Sequence, residues 1–349
     1  MRIACSFACR GTVKERDPRH AGAGDAIAES GPGYDVRCVS ATLGSIGTNV
    51  RLCMWRHFLQ FVGAWRLSRR GAILCFSDDQ STPEGPASPG KLLTCLWKRI
   101  DAAYLGRDCR RVSVACLPLL TGLREVHLWG VNCEGDIGAA LRALPGLELV
   151  SLHDLPVTDE AICVLSLGGQ IRELDCVRLP ITDTGVACIG RMVRLELLSI
   201  EGSQVRGEGI GHLRCLGALR YLGLTQMAIG DERIGWIPEL GQLETLNLCG
   251  TRVGDWTACR IGQMRSLRFV LLDDTMVTDV GVEAVAALPA LESLTISGCA
   301  VTDSSLGALA RARALQWLGL NNTDVSRRAY EWFCDARPEV RTFWSERRG

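Results

Sequence analysis

One apolar comb runs many times along this chain. Leu123, Leu147, Ile171, Leu195, Leu219, Leu243, Leu267, Leu291 and Leu315 stand 24 residues apart without a slip. Counting each as position 1, apolar residues recur at positions 4, 6, 11, 16, 19 and 22; in LRFVLLDDTMVTDVGVEAVAALPA these are Val270, Leu272, Val277, Val282, Val285 and Leu288. A step of two between positions 4 and 6 puts both side chains on one side of a short strand, whereas steps of three through 16, 19 and 22 make the inner stripe of a helix. Each unit is therefore predicted to be one strand and one helix, which bury their apolar faces only against the neighbouring units.

A 24-residue period with L-x-x-L-x-L leading into a helix is the signature of leucine-rich repeats. The fold expected is α/β: a curved solenoid with a parallel β-sheet on its concave face, helices on its convex face, and a largely disordered N-terminal region. Nine repeats fill 123–338. Adjacent strands lie about 4.8 Å apart, so nine or ten coils make a sheet on the order of 45 Å long. Between strand and helix, positions 12 and 13 read Thr158-Asp159, Thr182-Asp183, Thr278-Asp279 and Thr302-Asp303. Either side chain is expected to cap the first turn of the helix that follows it, worth about 1 kcal/mol, with the aspartate also complementing the positive helix end. Gly185, Gly209 and Gly281 at position 15 point to close approach of one coil to the next.

Outside the repeats the pattern weakens. Val114, Leu117 and Leu120 precede Leu123 with the spacing that Gly138, Leu141 and Leu144 show before Leu147, so 91–122 is assigned to an N-terminal cap with a helix and a degenerate first repeat. Residues 339–349 form the C-terminal cap and tail, with Trp332, Phe333, Phe343 and Trp344 expected to cover the last open core. Residues 77–90, SDDQSTPEGPASPG, have linker composition, and 1–50 lack any period and are predicted disordered. Between them, Leu52, Trp55, Phe58, Leu59, Val62 and Trp65 with Arg51, Arg56, Arg66, Arg69 and Arg70 predict an amphipathic basic helix over 51–76. It docks on the first coil, or else meets a partner helix or an acidic membrane surface through 51–70.

Composition narrows the class. The chain has 349 residues, 47% hydrophobic and 22% charged, as in an ordinary soluble protein. No run of eighteen uncharged apolar residues exists, so no transmembrane segment is expected, and the opening apolar stretch is too short for a secretory signal. Seventeen cysteines lie singly rather than in paired clusters, which leaves no zinc module or disulfide framework visible and fits reduced thiols in a cytoplasmic or nuclear protein. Formal charge cancels at 39 of each sign, but 1–120 carry 17 basic and 10 acidic groups while 121–349 carry 22 and 29. The basic first third is read as a solvated segment, and no nucleic-acid partner is expected.

Residues between the leucines of each strand face the hollow. Position 2 alternates in sign, Arg124, Glu148, Arg172, Glu196, Arg220, Glu244, Arg268 and Glu292, a ladder read as structural. Position 3 carries Tyr221, Phe269 and Trp317 two repeats apart, so their rings should project about 10 Å from one another as interface anchors. Asn247, Asp273, Asp274, Asn321 and Asn322 make the surrounding hollow polar and acidic, which suits a partner presenting Arg or Lys beside an apolar group. Trp129 and His153 join them as candidate binding residues toward the other end. His127, His153 and Asp175 invite an acid–base or metal reading, but no His-x3-His and no nucleophile elbow accompanies them. No catalytic residue, metal or cofactor is assigned.

The unit LRFVLLDDTMVTDVGV resembles the Thr-Asp-Gly leucine-rich repeats of trypanosomatid proteins known as adenylate-cyclase-regulatory, and more distantly the cysteine-containing repeats of F-box receptors, over about 115–335. The resemblance implies the solenoid; a part in ubiquitin ligation or cyclase control is implied by likeness alone. The cysteines do not form the RING finger that some such relatives carry, and no F-box-like segment is recognisable. The function expected is a non-enzymatic, monomeric scaffold that binds a partner protein on its concave face. The alternatives are a substrate-recognition or regulatory subunit in a ubiquitin-ligase or adenylate-cyclase pathway and, more remotely, an enzyme using His127, His153 and Asp175.

Overall fold

The computed structural model describes residues 112–131 and 133–347, together with strand residues 39–41, 50–52, 73–76 and 102–105. The expectations for 1–50, 51–76 and 77–90 otherwise lie outside the described residues. Val39–Ala41 and Ile73–Phe76 each pair antiparallel with Val50–Leu52, and Ile73–Phe76 runs parallel to Ala102–Leu105.

From Ala102 onward, eleven parallel strands follow in chain order among the described residues, ending at Arg341–Glu346. Their register steps by the sequence period: Glu173 lies opposite Leu197, Leu197 opposite Tyr221, Tyr221 opposite Thr245. The anchors Leu195, Leu219, Leu243, Leu267 and Leu291 are fully buried, and one core runs from Ala103 to Val340. This is the leucine-rich-repeat solenoid that the apolar comb predicts. At its start, Ala102–Leu105 is a strand beside Glu125–Trp129, and Val114–Leu119 is a 3-10 turn that buries Val114 and Leu117.

Two backbone devices set the coil shape. The N–H groups at positions 2 and 3 both donate to the position-2 carbonyl of the preceding coil, as Arg268 and Phe269 do to Glu244 at 2.9 and 3.1 Å. Position 8 is left-handed in every coil, with φ between 51° at Arg178 and 76° at Gly298, which accounts for the Gly, Asp and Asn found there. In the later coils a buried Thr follows: the hydroxyls of Thr251, Thr275 and Thr323 donate to the carbonyls of Leu248, Leu272 and Leu320 at 2.6, 2.7 and 2.9 Å.

The Thr-Asp pair works differently from expectation. Thr182 and Thr278 accept only long bonds from their own helices, 3.3 and 3.4 Å, and Thr158 accepts none. Each aspartate instead reaches the next coil. Asp159 accepts from the N–H and hydroxyl of Thr182 at 2.8 and 2.6 Å; Asp255 accepts from the same groups of Thr278 at 2.8 and 2.6 Å and from the Gly281 N–H at 3.0 Å. Asp183, Asp231, Asp279 and Asp303 repeat the arrangement. The aspartate is thus a clasp between coils that caps its neighbour's helix. Glycine at position 15 leaves room for it: a Cβ on Gly281 would lie 2.6 Å from Asp255 Oδ1, and one on Gly185 2.5 Å from Asp159 Oδ1.

The C-terminal end is closed by helix Arg327–Ala336 and strand Arg341–Glu346. Phe333 is fully buried, and Trp344 stacks on Tyr330 at 4.7 Å while its indole N–H reaches the Val325 carbonyl. Trp332 and Phe343 do not cover the core as expected; they are 51% and 48% exposed. Arg337 donates to the carbonyls of Ala310, Ala312 and Leu315, satisfying the end of the preceding helix. On the convex side Cys163 is disulfide-bonded to Cys188 in the next coil, so the reading of uniformly reduced thiols gives way at this pair.

Candidate functional site

The sheet face presents rows of side chains one strand apart, bounded along one edge by the position-2 ladder. Arg124 pairs with Glu148 at 3.3 Å, Arg172 with Glu196, and Arg220 with Glu244 at 2.8 Å; Arg268 bridges Glu244 and Glu292 at 3.6 and 2.7 Å. These charges serve one another. The pairs are largely solvent-exposed, so each is worth roughly 0–1 kcal/mol and the row sets register more than stability.

Toward the N-terminal end, strand Leu149–His153 carries Ser151 and His153, and the adjoining strand carries Asp175 directly opposite Ser151. His153 Nε2 lies 2.8 Å from both Ser151 Oγ and Asp175 Oδ2, and the Ser151 hydroxyl donates to the same carboxylate oxygen at 3.2 Å. A Ser-His-Asp relay needs the hydroxyl on one ring nitrogen and the carboxylate on the other. Here all three groups meet at Nε2, which makes a hydrogen-bonded knot and leaves no path from carboxylate through the ring to the hydroxyl. His127 stands in the row opposite Ser151, with Nε2 4.0 Å from Glu125. Trp129 packs its ring 5.5 Å from that of His153 and is 41% exposed. Beside them, Arg178 clamps Asp154 through two bonds of 2.6 and 2.7 Å. Among the described residues no group of three His, Cys, Asp or Glu is placed to hold a metal ion.

The three position-3 aromatics have different fates. Tyr221 lies along its own strand, since a Cβ on Gly223 would meet its ring at 3.1 Å and its hydroxyl at 3.2 Å. Phe269 is half-buried under the Arg268 guanidinium, 5.3 Å from the ring centre. Trp317 remains 39% exposed, stacked on Phe343 at 5.9 Å with Arg341 5.0 Å from its ring centre. Phe343 and Arg341 therefore belong to this face. The sequence reading missed them because it ended the repeats at 338, although their place opposite Gly319 and Trp317 continues the strand register.

The polar candidates are partly committed to the fold. Asn247 accepts from the Cys249 N–H at 3.1 Å. Asp273 accepts from the Ser297 N–H at 2.6 Å and the Thr295 hydroxyl at 2.9 Å; burial outweighs these bonds and pushes its carboxyl above the ordinary range. Burial, with Asp273 nearby, also pushes the Cys249 thiol up, so it is held as an inert thiol rather than a nucleophile. Asp274 holds the left-handed position-8 backbone, and its carboxylate fills the space left by Gly298. The Asn321 N–H reaches Ser297 Oγ at 3.3 Å. What stays open is an aromatic pair beside acidic and amide groups at one end, and Trp129 over the His153 knot at the other.

No family model matches the chain, and no curated protein matches it in sequence. Among solved structures it is similar to an internalin of Listeria monocytogenes, 14% identical over 73% of this chain and 89% of that one with a TM-score of 0.48. An internalin C2 of the same organism matches at 17% identity, 60% and 84% coverage and TM-score 0.46. A leucine-rich-repeat protein of Leptospira interrogans matches at 14% identity, 70% and 72% coverage and TM-score 0.42.

Proposed function

We propose that this chain is a non-enzymatic scaffold that binds a partner protein across the concave sheet face. The observation that carries the reading is the exposed Trp317–Phe343 stack on an ordered parallel sheet whose position-7 and position-8 rows carry Asp273, Asp274 and Asn321. Large aromatics left in water on a rigid surface are the usual anchors of protein interfaces. A partner segment with Arg or Lys beside an apolar residue complements them, since the cation meets the carboxylates and the apolar group meets the rings. Trp129 offers a second anchor at the far end. Tyr221 and Phe269, folded back on the sheet, contribute shape.

Proximity labelling in cells tests this by comparing the wild-type chain with a Trp317→Ala, Phe343→Ala variant. Loss of a defined set of neighbours is expected, and an unchanged set from a folded variant would discredit the site. The regulatory alternative, recruitment of ligase or cyclase machinery through 51–105, predicts that deleting 1–105 abolishes those same contacts. We place the protein as a monomer in the cytoplasm or nucleus. Alkylation of thiols in freshly lysed cells reads whether the Cys163–Cys188 disulfide persists there.

A further inference from the structure

The coils are tied to one another unevenly. Aspartate clasps join the Leu147, Ile171 and Leu195 coils through Asp159 and Asp183, and the coils from Leu219 to Leu315 through Asp231, Asp255, Asp279 and Asp303. Between the Leu195 and Leu219 coils there is none, because position 13 is Gly207, with φ +103° and the Arg233 stem where a side chain would stand. The charge ladder is open here too: Arg172 pairs with Glu196 and Arg220 with Glu244, but Glu196 and Arg220 do not pair. Glu148 and Arg172 do not pair with each other either, but Asp159 clasps that joint, and the Leu123–Leu147 joint, with Gly135 at position 13, keeps the Arg124–Glu148 pair. Among the described coils from Leu123 to Leu315, only the Leu195–Leu219 joint lacks both ties.

The backbone agrees. The position-10 N–H donates to the preceding coil at Gln204, Arg252, Met276 and Asp324, at 3.1, 2.8, 2.8 and 2.9 Å; Pro156 and Pro180 have no N–H to give, and Ala228 forms neither this bond nor a parallel bridge like the one Ala300 forms with Thr278. The position-8 N–H reaches the next strand at 2.7 to 3.0 Å in seven coils and at 3.2 Å from Gly202 to Thr225. The convex wall is 3-10 on one side, at Gly209–Cys215, and on the other a single α-turn, Asp231–Ile234, followed by the 3-10 turn Ile237–Glu239, with the poorer bonds of that geometry. Sheet and core nevertheless run through: Leu197–Glu201 and Tyr221–Thr225 pair over their full length, and Leu198, Leu213, Leu222 and Leu224 are fully buried.

We propose that this joint is a hinge, about which the solenoid bends as two laced bodies, one from the Leu147 to the Leu195 coil and one from the Leu219 to the Leu315 coil. The sheet is the pivot and the two loosened edges are where it opens. Because His153 sits on one body and Trp317 on the other, bending changes the span between the two ends of the face. The inference stands on the ties between coils and does not depend on any partner.

Hydrogen exchange of the full chain in graded sub-denaturing urea tests it. The Gly202, Arg220 and Tyr221 amides, which bond across the joint, are expected to exchange about tenfold faster or more than the matching Gly250, Arg268 and Phe269 amides, the factor that loss of one or two charge-assisted bonds gives. Equal protection, or protection that falls smoothly from the centre to both ends with no step at 218/219, would overturn the hinge. An Asp255→Ala chain supplies a second reading. Opening the Leu243–Leu267 joint should bring Arg268 and Phe269 toward the rates at Arg220 and Tyr221, and unchanged protection in that folded variant would also count against the proposal.

Discussion

Asp255→Ala measures what one clasp contributes. The side chain holds the Thr278 N–H at 2.8 Å, the Thr278 hydroxyl at 2.6 Å and the Gly281 N–H at 3.0 Å, all three donors belonging to the first turn of the next coil. Hydrogen bonds to a charged group contribute about 1.5–3 kcal/mol each when buried, and an N-cap about 1 kcal/mol. The site is part-buried, and water re-solvates some of the donors once the carboxylate is gone, so the sum comes to about 3 kcal/mol. A unit of this size loses roughly 2–4 °C of Tm per kcal/mol, which gives a fall of about 6–12 °C. Urea and thermal denaturation followed by far-UV circular dichroism supply the number. A double-mutant cycle with Thr278→Ala then isolates the shared bonds, with an expected coupling on the order of 1 kcal/mol. A loss below about 1 kcal/mol, or coupling near zero, would refute the clasp as a stabilising contact between coils.

Other positions give sharper contrasts. Gly209→Ala would drive a Cβ to 2.2 Å from the Asp183 carbonyl oxygen and should cost about 3 kcal/mol in a urea titration, while Gly217→Ala, with nothing within 4 Å, should stay within about 0.5 kcal/mol of wild type. Burial pushes the Asp279 carboxyl up, but bonds from Ser304 and Thr302 prevail and hold it below the usual carboxylate range. Its stabilisation is therefore complete above the unfolded Asp value of about 3.9 and is lost as pH falls through the lower folded value. Asp279→Asn should flatten the acid limb of a Tm-against-pH curve, and an unchanged limb would contradict the assignment. Cys163 and Cys188 are 25 residues apart, so reduction should remove roughly 3 kcal/mol of stability; dithiothreitol should lower the Tm of the wild type and leave a Cys163→Ser, Cys188→Ser chain unmoved.

The comb of apolar positions made the fold legible because a solenoid has only one repeating solution for it. Every residue at positions 1 and 4 of the central coils must enter the same core, and no long-range pairing has to be guessed. The aspartate's direction was hidden for a physical reason. A Thr-Asp pair before a helix fits a local cap as well as a contact with the following coil, and only the distance between coils decides. The cysteine pair was hidden likewise: Cys163 and Cys188 stand at positions 17 and 18 of neighbouring coils, a proximity that appears once the helices are stacked. The concave aromatics were placed on the correct face, yet ring direction depends on a small neighbour such as Gly223 or an overlying guanidinium such as Arg268, which the period does not encode. Phe343 was read as a core cover and Arg341 was not singled out, because the apolar pattern fades at 339 while the hydrogen-bonded strand continues.

The forward reach of each aspartate also says where one module stops and another begins. A 24-residue cassette cut from the Leu219 to Leu315 run carries a donor turn that looks backward and a carboxylate that looks forward, so copies inserted or deleted whole within that run meet a complementary neighbour. Growth or shrinkage of that run leaves no orphan within it, while at the two ends of the array Asp136 bonds to its own helix and Arg337 takes over the closing carbonyls. A designer lengthening this chain would do best to splice inside the Leu219 to Leu315 run, where both halves of the fastening are present in every unit.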